Sequence, residues 1–130
     1  MSNGVWAKMK IRNVLKLQMS LVAVLLIAAG PALTAESLAG KVGTKRSSVY
    51  FPQGMEGGCQ KAYKDYIAAA GHSAYASTMN GPGIYNFVCG ARTNVGSQAA
   101  AEKAAVADCE AGRKKYKIKF LGGCKVVVSK

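Results

Sequence analysis

Histidine is nearly absent from this chain: His72 is the only one in 130 residues. Ribonuclease-type acid–base pairs, histidine-rich metal sites and zincin motifs each need at least two, so those chemistries are excluded. A Ser-His-Asp system would have to draw on Ser73 or Ser77, His72, and Asp65 or Asp108. Residues 71–75 fail the nucleophile-elbow pattern, because Tyr75 stands where glycine must follow the serine. Adjacent side chains on a strand also point to opposite faces, which parts His72 from Ser73. Carboxylates are scarce as well: Glu36, Glu56, Asp65, Glu102, Asp108 and Glu110 are all there are. Glycoside hydrolysis needs two of them across a cleft. Glu36 and Glu56 fall in a weakly patterned segment, and Glu102 and Glu110 share a helical face that reads as a solvated stripe. The glycines form neither a P-loop nor G-x-G-x-x-G, so no cofactor cradle is signalled. C-x-x-C is missing too, which excludes zinc ribbons and thioredoxin-like redox sites. The chain reads as no enzyme, with no catalytic residue, no metal ligand and no cofactor assigned.

What is present points to export. Lys8, Lys10, Arg12 and Lys16 precede an apolar run over 21–29, Gly30-Pro31 breaks it, and Leu33-Thr34-Ala35 offers a small residue for cleavage. Residues 1–35 therefore read as a secretory signal peptide, with Ala39 marking a second possible cut. A membrane-spanning helix needs about 20 apolar residues, roughly twice this run. The expected product is periplasmic or secreted and carries no transmembrane anchor after cleavage.

Cys59, Cys89, Cys109 and Cys124 all lie beyond the leader, widely spaced. Behind an export signal, an even count at such spacing predicts two structural disulfides, with three connectivities open. A cysteine locked in a disulfide is no nucleophile. Roughly 95 residues remain after cleavage, a length that buries only about 60–65% of the unfolded surface and gains from such staples. Beyond the leader, 14 basic residues face 6 acidic ones, a net charge of +8. That excess favours anionic company: nucleic acid, acidic lipid, lipopolysaccharide or acidic glycans.

Residues 36–57 read as an extended or flexible segment, in which Val49-Tyr50-Phe51 makes a short strand or plugs an apolar gap. Residues 58–130 read as the folded domain. A first helix is expected over 58–70, with Ala62, Tyr66 and Ala69 at helical spacing and Gly71 as its stop. Runs 72–79 and 84–92 flank the turn formers Asn80-Gly81-Pro82-Gly83 and predict a hairpin, with Tyr85, Phe87, Cys89 and Ala91 on one face. Ser97 caps a second helix over 98–111, whose Ala101, Ala105 and Cys109 make a small-residue stripe able to approach a sheet closely. Next, Tyr116, Ile118 and Phe120 alternate with Lys115, Lys117 and Lys119 at the strand period; a helix end plus loop is the alternative. Gly122-Gly123 suits a two-residue turn into a strand over 126–128. The whole predicts an α+β fold, a small antiparallel sheet with two helices packed on one face, stapled by disulfides.

The run from Ser97 to Cys109, followed by Gly-Gly-Cys124-Lys-Val-Val-Val, resembles modules of unknown function in small exported proteobacterial proteins. The likeness covers 72–130 and is carried by Ala-rich motifs. It implies a bond between the helix cysteine and the cysteine opening the final strand, here Cys109–Cys124. Cys59–Cys89 is then the partner bond, with Cys89 facing the core that the first helix covers. The resemblance implies no activity.

One constellation remains as a candidate site: Arg113, Lys114, Lys115, Lys117 and Lys119, with Lys125 and Lys130 nearby. On a strand, Lys115, Lys117 and Lys119 form a row with steps of about 6.6 Å, suited to tracking a polyanion. The structural alternative is protection, since lysines on an edge strand block sheet-to-sheet association. The expected function is thus an exported, basic, non-catalytic protein binding anionic envelope or extracellular polymers. An inhibitor or interaction partner of another protein is the second reading.

Overall fold

The computed structural model describes residues 35–54, 56–119 and 122–130. The expected leader, apart from Ala35, and Phe120 of the alternating run lie outside the described residues. Residues Glu36–Lys130 form one compact unit. In chain order it contains β1 (Thr44–Lys45), α1 (Gly58–Ala68), β2 (His72–Ser77), β3 (Cys89–Val95), α2 (Gln98–Lys115) and β4 (Lys125–Ser129). The sheet runs β1-β4-β2-β3 and every pairing is antiparallel. Fold class, sheet type, the two helices and both disulfides agree with the sequence reading.

The helices, however, occupy opposite faces of the sheet rather than one. Ala74 and Ala76 pack on Ala101, Ala105 and Cys109 of α2, whereas Tyr75 between them packs with Tyr66 of α1, Val127 and Val128. The cause is strand periodicity: β2 is buried from Ser73 to Ser77, with small groups on one face and a large ring on the other. A strand buried on both faces takes a cover on each. Gly90, opposite Ala76 in β3, lets α2 come down on the sheet; a Cβ there would overlap the Ala105 carbonyl oxygen and the Cys109 nitrogen.

On the other face, α1 is anchored by Tyr66, whose ring is fully buried and whose hydroxyl donates to the Val42 carbonyl. Tyr63 packs edge-on against Tyr75 at 5.4 Å between centroids and beside Phe51 at 5.6 Å. Phe51 thus fills an apolar gap, and no strand forms over 49–51. Much of the segment read as flexible is fastened down. The Leu38 and Gly40 N–H groups donate to the Ala70 and Ile67 carbonyls, each at 2.8 Å. The Lys130 ammonium donates to Leu38 O (2.7 Å), Ile67 O (2.9 Å) and Lys41 O (3.2 Å).

The hairpin is shorter and later than its sequence pattern indicates. Ser77 pairs with Cys89, so 78–88 form a long connection closed by Thr78 N–H to Val88 O (3.0 Å) and Val88 N–H to Thr78 Oγ1 (3.1 Å). Pro82, with no N–H to give a ladder, and the glycines around it keep this stretch out of the sheet. Tyr85 and Phe87 consequently leave the strand face that Cys89 and Ala91 keep.

Ser97 caps α2 as expected, accepting from Ala100 N–H at 3.2 Å. The helix continues past Gly112 to Lys115, because Gly112 packs against Val88; a Cβ there would lie 2.8 Å from Val88 Cγ1. The strand expected through Lys115, Lys117 and Lys119 does not form. Instead Lys117 takes a left-handed conformation (φ 53°) and Ile118 N–H returns to Arg113 O at 3.0 Å. Such a reversal satisfies the last helical carbonyls, and the basic final turn complements the helix dipole. Gly122-Gly123 accordingly joins no hairpin; it leads through Cys124 into β4, which forms over the valines as predicted.

Disulfides join Cys59 to Cys89 (Cα–Cα 5.6 Å) and Cys109 to Cys124 (6.0 Å). Each ties one helix to the strand side of its own face. Among the described residues no helix is long and apolar enough to cross a membrane.

Candidate functional site

The basic residues singled out from sequence gather at the C-terminal end of α2. Arg113, Lys114 and Lys115 occupy its last turn, and Lys117 and Lys119 follow the reversal. They make a cluster and not a row. Arg113, Lys114, Lys117 and Lys119 line a hollow of about 300 Å³ with Ile118. Lys115 stands apart from that lining, its ammonium 5.4 Å from the centroid of the Tyr116 ring.

How much of this charge is free follows from the ion pairs. Every carboxylate but Glu56 is engaged: Glu36 with Lys41, Asp65 with Lys61, Glu102 with Arg46, Asp108 with Arg92 and Glu110 with Arg113. Glu110 also accepts Cys124 N–H at 2.7 Å, and this bond, aided by Arg113, holds its carboxyl below the ordinary value. Arg113 is therefore a partly compensated charge that braces the Cys109–Cys124 bridge. Lys114, Lys115, Lys117 and Lys119 have no carboxylate partner among the described residues, and all are exposed. Of the lysines named as neighbours, Lys125 is exposed, whereas Lys130 is buried in its ring of carbonyls.

Beside the basic hollow runs a groove that the sequence did not reveal. It has a volume of about 860 Å³ and is lined by Phe51, Phe87, Val88, the Cys59–Cys89 disulfide, Tyr85, Tyr116 and Ile118, with Glu56 also in its lining. Val88 is buried, whereas Tyr85 and Tyr116 are 62% and 65% exposed. Phe51 and Phe87 pack at 6.1 Å between centroids. The elements explain the opening: α1 begins at Gly58 without a side-chain cap, the 78–88 connection swings away from the sheet, and α2 ends alongside. The one legible signal was the turn-forming cluster at 80–83, which displaces Tyr85 and Phe87 from the strand.

The remaining polar candidates are placed otherwise. His72 is exposed at the start of β2, while Ser73 is buried, donates to Gly71 O (2.8 Å) and accepts Asn94 N–H (3.2 Å). Ser77 is buried in the strand and Asp108 pairs with Arg92. No group of three or more His, Cys, Asp or Glu side chains among the described residues is arranged to hold a metal ion. No family model, curated protein or solved structure matches this chain.

Proposed function

We propose that this is an exported, non-catalytic protein that binds anionic polymers of the cell envelope or its surroundings. The observation that carries this reading is the set of lysines at the end of α2 without carboxylate partners, Lys114, Lys115, Lys117 and Lys119. A helix end needs one or two cations to complement its dipole. Four lysines within the six residues 114–119 exceed that need and repel one another, so an anion docking there relieves repulsion as it gains attraction. The two disulfides suit an oxidising compartment, and the leader sequence supplies the route.

The test is salt-dependent binding to heparin, single-stranded DNA and lipopolysaccharide. Changing Lys114, Lys117 and Lys119 together to Gln is expected to weaken binding at low salt. The slope of log affinity against log salt should flatten by roughly two to three, about one counterion for each lysine. Absence of salt-dependent binding to all three ligands by the unaltered protein would overturn the proposal.

A further inference from the structure

We infer that the ligand of this end of the molecule is an anionic amphiphile, a phosphate-bearing single-chain lipid whose acyl chain lies in the aromatic groove while its phosphate meets the basic hollow. The inference rests on the reading of the basic cluster as an anion site, and goes beyond it by naming a small amphiphile in place of a polymer. Three observations combine. The groove, at about 860 Å³, has the size of a small-molecule site, and its lining is mostly apolar. Large apolar side chains exposed beside an apolar groove mark a binding surface. Of the three such residues among those described, Met79, Tyr85 and Tyr116, two stand on this groove. Finally, groove and hollow are neighbours: Ile118 lines both, and Gly112 of the groove precedes Arg113 of the hollow in the chain. Lys115 over the Tyr116 ring brings a further ammonium to the aromatic rim.

Charge complementarity selects among occupants. A neutral chain would fill the groove yet leave Lys114, Lys117 and Lys119 without a counter-charge. A purely ionic polymer would answer the lysines and leave the Phe51–Phe87 surface wet. A molecule with a doubly charged phosphate at one end and methylenes behind it satisfies both. Glu56, which also lines the groove, would repel the head, whereas the hollow attracts it.

Calorimetric titration of the oxidised protein tests this with lysophosphatidic acid, lysophosphatidylcholine of the same chain length and heparin, the lipids kept below their micelle concentrations. Lysophosphatidic acid is expected to bind at least about tenfold tighter than the choline lipid, and to gain about threefold for each added methylene while the groove fills. The double variant Tyr85→Ser/Tyr116→Ser should lose about tenfold for lysophosphatidic acid and keep its heparin affinity, because both rings are mostly exposed and the fold does not depend on them. Ile118→Ala, verified as folded by circular dichroism, should act in the same direction. The Lys114/Lys117/Lys119→Gln variant should lose both ligands. Heparin binding without lysophosphatidic acid binding would overturn this inference and leave the polymer reading standing. Binding of neither would overturn this inference, and the polymer reading with it once single-stranded DNA and lipopolysaccharide also fail to bind. Equal binding of the choline lipid, or a loss of heparin binding in the tyrosine variant, would overturn the acyl-chain assignment, the latter by showing that the rings stack on sugars.

Discussion

The two faces of the sheet are packed on different principles. Against α2 the contact is made by Ala74, Ala76, Gly90, Ala101, Ala105 and Cys109, small groups that let helix backbone rest almost on strand backbone. Against α1 it is made by Tyr66, Tyr75, Val127 and Val128, with Tyr63, Phe51 and Val49 around them. A face of small residues is specified by distance and has no slack. A face of rings is specified by volume and leaves gaps where rings meet at angles, as Phe51 does with Tyr63 and Phe87. The aromatic groove opens beside the second kind of packing.

That contrast can be broken most directly at Gly90. Gly90→Val would force side-chain carbons into the backbone of α2, and we expect a loss of about 3 kcal/mol or more. Ala62→Val, a comparable addition at a half-buried position on α1, should stay within about 1 kcal/mol. Urea denaturation of both variants gives the comparison, and equal losses would show that the two faces are alike. A smaller effect is expected for Tyr66→Phe, which keeps the ring and removes the donor to Val42 O. Burial pushes the Tyr66 phenol up to about 12, so it remains a donor at all ordinary pH. The orphaned carbonyl should cost about 1–2 kcal/mol, read from the same denaturation curves. If Phe is neutral there, the α1 face is held by volume alone.

The smallest effect concerns Glu102 on the α2 side. A hydrogen bond from Ser129, helped by Arg46 and Gln98, holds its carboxyl below the ordinary value of 4.5. A carboxylate with a lowered folded value stabilises the protein above its unfolded value, and that contribution is lost as pH falls through the lowered value. Tm should therefore decline as pH drops below about 4.5, and Glu102→Gln should start lower at pH 7 and decline less steeply. A constant Tm difference between the two proteins from pH 7 to pH 2 would show that Glu102 does not contribute in this way.

Much of this was legible in the residues. Ala101, Ala105 and Cys109 at intervals of four announced a close-packed helix, Ser97 its start, and the valine run a strand. Of the two readings of the α2 end, the helix end plus loop holds and the strand suggested by Lys-Ile-Lys-Phe does not; alternation records a possible face, while the Gly112–Val88 contact and the reversal at Lys117 decide the backbone. The order helix, hairpin, helix, strand is the same whether the two helices share a face or take one each, and the burial of β2 on both faces decides it. Gly90 carried the information about close approach, but a glycine in a strand looks the same whether it faces water or a helix. The basic residues were identifiable one by one, whereas the groove beside them required the loop at 78–88 and the end of α2 to meet, a juxtaposition no local pattern encodes.

The position of β4 has a kinetic consequence. It lies between β1 and β2, and its register joins Thr44 to Ser129 and Ala74 to Ser129. Until residues 125–129 arrive, β1 has no neighbour in the sheet and β2 has only β3. The β2–β3 pair can form before then, but the joining of β1 to the rest of the sheet is a late, non-local step.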